Sequence, residues 1–352
     1  MPDLNSGTPW VSFCMSTYKR PEILKKTLAL IGAQTFPDFE VVVSDNDPDR
    51  SAEAVVGGMN DRRFRYFPNE TNLGMVKSFN KSIERATGEF IVMITDDDPV
   101  YPEMLATLHD LWLRYPDNGV YFGGHNTFYA GLVQARMAKA RPGINSSLPA
   151  DWELGAVKTY TPEAFPLAYL KGELGGLLWS TGIVKRSIAL EVNGFPDYGT
   201  PHLADCSYLV LSAVRGGFVY INTALGHRAI HDDNYSYNAA NYESIYKAPE
   251  GFYRWTMDRL PAALITPELT AALDNYIGRD LTVFVISIKK MLLALGIKKP
   301  EFEQFRERFF RLRWLRRWRM KYYIGVHYPD VFDLYLAVRK TLFPPPINVP
   351  GK

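Results

Sequence analysis

The chain is poor in several features that would place it in a specialised class of proteins. Its 352 residues include only two cysteines, Cys14 and Cys206, which are too few for a disulfide-stapled secreted scaffold. Its longest apolar stretches are interrupted by charge, as at Lys289 and Lys290, so none provides the roughly 20 apolar residues of a membrane span. The formal net charge is only +2, which gives no global case for binding nucleic acid.

The N-terminal residues 1–7 have neither a charged start nor an apolar core, and no signal peptide is therefore visible. Together with the two cysteines, which we interpret as buried reduced thiols, this predicts a cytoplasmic protein. The chain is 47% hydrophobic and 14% aromatic, a composition that is typical of a globular protein. Its length allows one large domain or two domains of moderate size.

Short apolar runs alternate with segments of helical spacing in the N-terminal part of the chain. The runs predict strands at residues 10–15, 39–43, 64–67 and 90–94. Helices are predicted between them at residues 21–31, 52–59 and 75–86. This alternation indicates an α/β fold with a mostly parallel sheet that is flanked by helices.

Polar residues follow each of these strands. The four turns are Ser16–Thr17, Asp45–Asp47, Asn69–Asn72 and Asp96–Asp98. If the strands are parallel, all four turns lie along one edge of the sheet, where ligands bind in open α/β folds. The sequence therefore predicts that the four turns line one cleft.

The last of these turns contains three consecutive aspartates, Asp96, Asp97 and Asp98. Asp98 before Pro99 could simply cap the following helix. A cap needs only one carboxylate, however, and three adjacent carboxylates repel one another. A divalent cation would relieve this repulsion, and hard oxygen ligands suit Mg²⁺ or Mn²⁺. We therefore predict a cation site that serves a diphosphate ligand.

The second half of the chain is less regular. Residues 126–160 have little periodicity and receive no assignment, and helices dominate from about residue 249. The predicted helices are at residues 162–170, 203–214, 252–259, 267–295, 301–323 and 331–342. One strand is predicted to end at residue 184, and two more are predicted at residues 218–222 and 225–230. We predict a catalytic domain over residues 1–245, with a nucleotide-binding half to about 124, a helical domain over 246–343 and a disordered tail over 344–352.

Four landmarks occur in an order that resembles a family 2 glycosyltransferase with the GT-A fold, a Rossmann-like architecture. They are the segments 11–20, 41–46, 72–90 and 96–98. The last resembles the family's DxD motif. The resemblance extends over residues 11 to about 236, and it does not include the C-terminal helices.

The resemblance implies a role for individual residues. The residues implied to bind the nucleotide are Thr17, Arg20, Asp45, Asn72, Asp96 and Asp97. Asp98 and His231 are implied to bind the metal, and Gly175 and Gly176 to lie on the acceptor side. Asp205 is implied as the catalytic base, although Ala204 replaces the acidic residue that often precedes it in the family. Asp197 is the nearest alternative base.

The activity implied by the resemblance is metal-dependent, inverting transfer of a sugar from a nucleotide-diphosphate sugar, with UDP favoured. The acceptor would be a saccharide or a lipid-linked molecule in bacterial cell-surface polysaccharide or glycolipid synthesis. The arginine- and aromatic-rich segment 302–323 could contact the inner face of the plasma membrane. The alternatives are a sugar nucleotidyltransferase and a non-catalytic nucleotide- or sugar-binding module; no nucleic-acid partner is expected.

Overall fold

The structure is a computed structural model that describes residues 7–131, 143–174, 177–231, 239–294, 296, 300–328 and 330–334. Within these residues the strands form one mixed sheet. They are β1 (Val11–Thr17), β2 (Phe39–Asp45), β3 (Phe64–Pro68), β4 (Phe90–Ile94), β5 (Val120–Tyr129), β6 (Gly143–Ser146), β7 (Val157–Tyr160), β8 (Gly182–Lys185) and β9 (Phe218–Ile230). Their order is β3-β2-β1-β4-β8-β5-β9-β7, and β6 pairs with β5 outside this path.

Helices cover both faces of the sheet and continue beyond its last strand. They are α1 (Pro21–Gly32), α2 (Glu53–Gly57), α3 (Met75–Arg85), α4 (Met104–Arg114), α5 (Phe165–Lys171), α6 (Arg186–Glu191), α7 (Ala204–Gly216), α8 (Tyr242–Arg259), α9 (Pro267–Ala294), α10 (Pro300–Phe310) and α11 (Arg319–His327). None of the helices in the described ranges is both long and apolar enough to cross a membrane.

Strands β1 to β4 form the parallel part of the sheet, as the sequence predicts. β1 pairs in parallel with both β2 and β4, and β2 pairs in parallel with β3. The residues of β2 and β4 are buried along their whole length, which explains why β4 and the centre of β2, Val41–Val43, read as continuous apolar runs. The polar turns after these four strands therefore meet at one edge of the sheet.

The other part of the sheet differs from the sequence prediction. β9 is one long strand, whereas the sequence predicted two, over residues 218–222 and 225–230, with a break at residues 223–224. The pairing of β9 with β5 shifts register at this point, and the Asn222 side-chain amide donates to the backbone carbonyl of Trp152 at 3.0 Å. A local irregularity with its own hydrogen bonds thus replaces the predicted break.

The unassigned stretch 126–160 contains the end of β5 together with β6 and β7. β6 pairs with the end of β5, and β7 pairs with β9 in antiparallel orientation at the edge of the sheet. Neither β6 nor β7 contains a fully buried residue, so neither has the apolar alternation by which a strand is recognised in a sequence.

The predicted helix 301–323 is interrupted. α10 ends at Phe310, a 3-10 turn follows at Arg313–Arg317, and α11 begins at Arg319. The interruption buries both Trp314 and Leu315. Residues 331–334 of the predicted helix 331–342 are helical, and the rest of this helix lies outside the described residues, as does the predicted tail 344–352.

One apolar core connects the sheet to the C-terminal helices. It includes Val120 of β5 and Phe218 of β9, and it continues without a break to Leu273 and Ile277 of α9 and Phe309 of α10. The helices after residue 242 are thus packed on the same core as the sheet.

Candidate active site

The aspartate triplet is held by side chains from β1, from α1 and from the turn between them. The hydroxyl of Thr17, the last residue of β1, donates to Asp96 Oδ2 at 3.1 Å. The Thr27 hydroxyl of α1 donates to the Asp96 backbone carbonyl at 2.6 Å. Arg20, which immediately precedes α1, donates from one guanidinium nitrogen to Asp96 Oδ1 at 3.2 Å and to Asp97 Oδ2 at 3.0 Å.

The triplet is also attached to the end of β9. The backbone N–H of Ala229 donates to Asp98 Oδ1 at 2.9 Å, and His231 Nε2 lies 3.3 Å from Asp97 Oδ2. The chain around Pro99 lies close to β9, because the His227 N–H donates to the Pro99 carbonyl at 3.0 Å. At Gly226 an added Cβ would lie 2.8 Å from that same carbonyl, so glycine permits this close approach.

The three carboxylates have different environments. Burial, followed by the negative charge of Asp97, raises the pKa of Asp96 to about 6. The same two causes, in the same order, raise the pKa of Asp98 to about 6. Burial also favours a higher pKa for Asp97, but the hydrogen bond from His231 and the positive charge of Arg20 outweigh it, and the pKa of Asp97 is lowered.

These residues fit a divalent cation by their chemistry. Buried carboxylates whose pKa is raised by a neighbouring negative charge are stabilised, in their ionised form, by a nearby positive charge, and oxygen and imidazole ligands suit Mn²⁺ and Mg²⁺. In the described part of the chain, no three His, Cys, Asp or Glu side chains converge as a ready-made ligand set. Ligand or water oxygens would therefore have to complete the coordination.

Asp45 and Asn72, both predicted to contact the nucleotide, organise loops. Asp45 is fully buried, and its carboxylate accepts from the Asp47 N–H at 2.9 Å, the Ala52 N–H at 3.1 Å and the Tyr66 hydroxyl at 3.0 Å. Exposed Asn72 accepts from the Gly74 N–H at 2.9 Å. The structure thus places neither side chain in contact with the aspartate triplet.

A cavity of about 390 Å³ extends from the triplet towards α7. Asp97 and Asp98 line one end, and His202, Asp205 and Asp280 line another part of its wall. The structure therefore brings the predicted metal-binding residue and the predicted catalytic base to one cavity.

Asp205 lies in the first turn of α7 and is open to the cavity. Its Oδ1 accepts from the Cys206 N–H at 2.9 Å. Water reaches the carboxylate through the cavity, but the surrounding protein removes much of its hydration, and this burial raises the pKa of Asp205. The positive charge of His202 acts in the opposite direction. A carboxylate with a raised pKa in a cleft has the properties of a general base.

The alternative base does not line this cavity. Asp197, the alternative base, has a 41% exposed side chain, and its carboxylate lies 3.6 Å from Lys77 Nζ. Gly175 and Gly176 lie outside the described residues, although Leu177 and Leu178, which follow them, line the cavity.

Sequence reasoning missed four ionisable residues in the cavity wall, namely His125, His202, Arg228 and Asp280. Burial lowers the pKa of His125 to about 4, so this imidazole is neutral at physiological pH. Arg228 precedes His231 by three residues on a predicted strand, and this position could have identified it as a site residue. Cys206 was predicted to be buried, but it is half-buried because it also borders the cavity.

The N-terminal part of the chain is similar to a large family. The family model described as glycosyl transferase family 2 matches residues 12–165, which include β2 to β7 and all of β1 except its first residue. A Campylobacter jejuni protein named GalNAc(5)-diNAcBac-PP-undecaprenol beta-1,3-glucosyltransferase is 32% identical over 103 residues, which are 28% of this chain and 33% of that protein. The matches span about a third of the length of the curated relatives.

Solved structures are similar over a longer range. S. aureus TarS 1-349 in complex with UDP-GlcNAc has a TM-score of 0.57 and 17% identity, covering 94% of this chain and 91% of that one. The mannosyltransferase PcManGT of Pyrobaculum calidifontis, in complex with GDP-Man and Mn2+, has a TM-score of 0.51 and 18% identity, covering 93% of this chain and 88% of that one. At these identities the likeness establishes a shared fold, which includes the C-terminal helices.

Proposed function

This chain belongs to glycosyltransferase family 2 and has the GT-A fold, and from that premise we propose that it transfers a sugar from a nucleotide-diphosphate sugar, with UDP favoured, to a hydroxyl of a saccharide or lipid-linked acceptor. One observation carries the proposal. The carboxylates suited to the cation of a diphosphate ligand and the carboxylate suited to a general base line the same cavity. The complexes of similar proteins with UDP-GlcNAc and GDP-Man support a donor of this class.

The donor side of the reaction uses the sheet edge. Asp98 and His231, with the Asp97 carboxylate that His231 contacts, would hold Mg²⁺ or Mn²⁺. When bound, such an ion supplies positive charge where the departing diphosphate becomes more negative. Arg20 and Thr17 keep Asp96 in place beside this site. Asp45, with its carboxylate occupied by internal donors, supports the nucleotide site indirectly by fixing the loop after β2.

The acceptor side of the reaction uses Asp205. Its carboxylate accepts the proton of the acceptor hydroxyl while the oxygen attacks the anomeric carbon of the donor sugar. Attack from the face opposite the diphosphate breaks the bond to that leaving group and inverts the anomeric centre in one displacement. Asp205 serves this role better than Asp197, because Asp197 is paired with Lys77 at the surface.

The first test is nucleotide binding followed by transfer. We expect UDP with Mn²⁺ to raise the thermal unfolding midpoint more than UDP or Mn²⁺ alone, because in this proposal the diphosphate and the cation bind together. A ligand at about 100 times its Kd stabilises the folded state by about 2.7 kcal/mol. A thermal-shift screen of UDP, GDP and dTDP measures this rise. Release of the nucleoside diphosphate from the matching sugar donor then measures turnover. A protein that responds to no nucleoside diphosphate, with or without cation, would contradict the proposal.

A basic surface near the C-terminus supports contact with the membrane that would carry a lipid-linked acceptor. Arg316, Arg317 and Arg319 are exposed around the start of α11, beside Met320, which is 75% exposed, and Tyr323, which is 51% exposed. Cationic side chains that surround exposed apolar and aromatic ones suit an anionic bilayer surface. We therefore place the segment 302–323 at the inner face of the plasma membrane in this proposal.

Reversing two of these charges tests the membrane contact. The double substitution Arg316→Glu and Arg317→Glu should weaken binding to phosphatidylglycerol vesicles by at least about tenfold at low salt, because each basic residue near such a surface contributes about 1 kcal/mol. Vesicle co-sedimentation measures it. Lys25→Glu with Lys26→Glu, on exposed positions of α1, makes the same change in net charge. An equal loss in this control would rule out a specific surface.

A further inference from the structure

A histidine–aspartate pair lies in the cavity wall beside Asp205. His202 Nε2 and Asp280 Oδ2 are 3.0 Å apart, although the two residues are 78 positions apart in the chain. His202 stands just before α7, and Asp280 lies in the middle of α9. Both line the same cavity as Asp205, so the C-terminal helices contribute a charged group to the candidate active site.

One face of α9 holds the segment that leads into Asp205. Tyr276, Asp280 and Phe284 follow one another at a spacing of four residues, which places them on the same side of a helix. The Tyr276 hydroxyl lies 3.1 Å from Cys206 Sγ, and the Phe284 and His202 rings have centroids 5.4 Å apart. With the ion pair of Asp280, three successive turns of α9 contact residues 202–206.

The backbone between His202 and Asp205 is strained. Leu203 has φ of 65° and ψ of 2°, in the left-handed region, which is rare for a large side chain. Such a conformation persists only where the surrounding structure fixes it. Here Leu203 is buried in the core, and the Tyr198 hydroxyl donates to the His202 carbonyl at 2.9 Å. The strain marks a segment that is held in one arrangement from both sides.

Four other titratable groups around the pair are neutral at physiological pH. Burial raises the pKa values of Tyr169, Tyr198, Cys206 and Tyr276 well above their ordinary range. Further along the cavity lie Asp97, Asp98, His125 and Arg228, at the end that faces the donor. The Arg279 guanidinium of α9 lies over the Tyr276 ring, 5.2 Å from its centroid, and the charges that act on the pKa of Asp205 are those of His202 and Asp280.

The charges of the pair act on Asp205 with a definite sign. Burial alone would lower the pKa of His202, but the carboxylate of Asp280 outweighs it, and the pKa of His202 is raised. The resulting imidazolium favours the ionised form of Asp205, against the burial that raises the pKa of that carboxyl. The negative charge of Asp280 acts on Asp205 in the opposite sense, so the benefit to Asp205 depends on a protonated His202.

We infer that His202 and Asp280 form a positioning pair, through which helix α9 keeps Asp205 ionised and oriented towards the acceptor hydroxyl. This inference rests on the proposed function, because it assigns Asp205 as the base of sugar transfer. The C-terminal helices then form part of the active site. The strained conformation at Leu203 allows His202 to contact α9 while Asp205 faces the cavity.

The pH profile of transfer tests the pair. In His202→Gln the imidazolium is lost, the pKa of Asp205 rises, and the acid limb of kcat/KM moves to higher pH. We expect kcat/KM to fall by about tenfold at a pH on the acid limb, with a smaller loss at a pH on the plateau, where the base is ionised in both proteins. A structural role alone would lower kcat/KM equally at both values. Glu268→Gln is the matched control, because it breaks the exposed ion pair of α9 with Lys171, whose atoms are 2.8 Å apart.

A second measurement does not depend on turnover. Histidine side-chain NMR titration, with the His202 signal assigned from His202→Gln, should show a raised pKa for His202 in the unmodified protein. That pKa should fall in Asp280→Asn and remain raised in Asp280→Glu. An unchanged His202 titration in folded Asp280→Asn would overturn the pair, as would an unmoved acid limb in an active His202→Gln. If the unmodified protein showed the expected His202 titration but no transfer with any donor, the proposed function would fail, and with it the role in transfer, while the ion pair itself would stand.

Discussion

Asp205→Asn should lower the turnover number of sugar transfer by about 10²–10⁴-fold, the range that general-base catalysis contributes, and should leave donor binding intact. The amide oxygen of asparagine can still accept the Cys206 N–H that Asp205 accepts at 2.9 Å, so the start of α7 should keep its structure. The amide cannot take a proton from the acceptor hydroxyl. Turnover is measured by release of nucleoside diphosphate in the presence of acceptor, and binding by calorimetry with UDP and Mn²⁺.

Asp197→Asn is the natural comparison for this variant. Asp197 is the other candidate base, but its carboxylate faces Lys77 at the protein surface, and we expect its substitution to leave turnover close to that of the unmodified protein. A full rate in Asp205→Asn together with a large loss in Asp197→Asn would transfer the role of base to Asp197. If turnover were absent in the unmodified protein while UDP still bound, a non-catalytic binding module would be the better description.

The second large effect is expected at Asp98. Asp98→Ala should reduce cation-dependent binding of UDP, and turnover, by about 100-fold or more, since even the loss of an outer-shell partner costs a metal site about 10–100-fold. The substitution also removes the acceptor of the Ala229 N–H, which Asp98 binds at 2.9 Å. Asp98→Asn keeps this acceptor and removes only the charge. Calorimetry with UDP at several Mn²⁺ concentrations measures both variants.

The two Asp98 variants separate charge from local structure. If the carboxylate acts on a cation, Asp98→Asn and Asp98→Ala should both lose the dependence on Mn²⁺. If Asp98 only anchors β9, Asp98→Asn should behave like the unmodified protein. Full turnover in unmodified protein treated with a chelator would remove the cation from the mechanism, whatever the variants show.

The parallel half of the fold could be predicted because its signals are local. β2 and β4 are buried on both faces and therefore appear in the sequence as mostly apolar runs. Once they are parallel, their polar ends must share an edge, and this geometry brings Thr17, Arg20 and the aspartate triplet together without any knowledge of side-chain positions. The family resemblance then supplied Asp205 and His231, which lie far along the chain from that edge.

The other half of the site could not be predicted, because its contacts join distant segments. Nothing in the sequence around His202 indicates that Asp280 lies 3.0 Å away, since helical spacing in α9 shows which residues share a face but not what that face contacts. Asp45 shows the opposite difficulty. An aspartate after a strand has the same local pattern whether it faces a ligand or, as here, is saturated by backbone N–H groups and Tyr66.

The apolar core that passes from the sheet into α9 and α10 has a practical consequence for protein engineering. The family model ends at residue 165, but a fragment cut there would lack β9, would expose apolar residues such as Phe122, which stacks on Phe218, and would be prone to aggregation. Chimeras that exchange C-terminal helices between relatives, in order to alter acceptor choice, would need to carry residues 198–206 together with α9. Otherwise a foreign helix would meet His202 without the carboxylate that it requires.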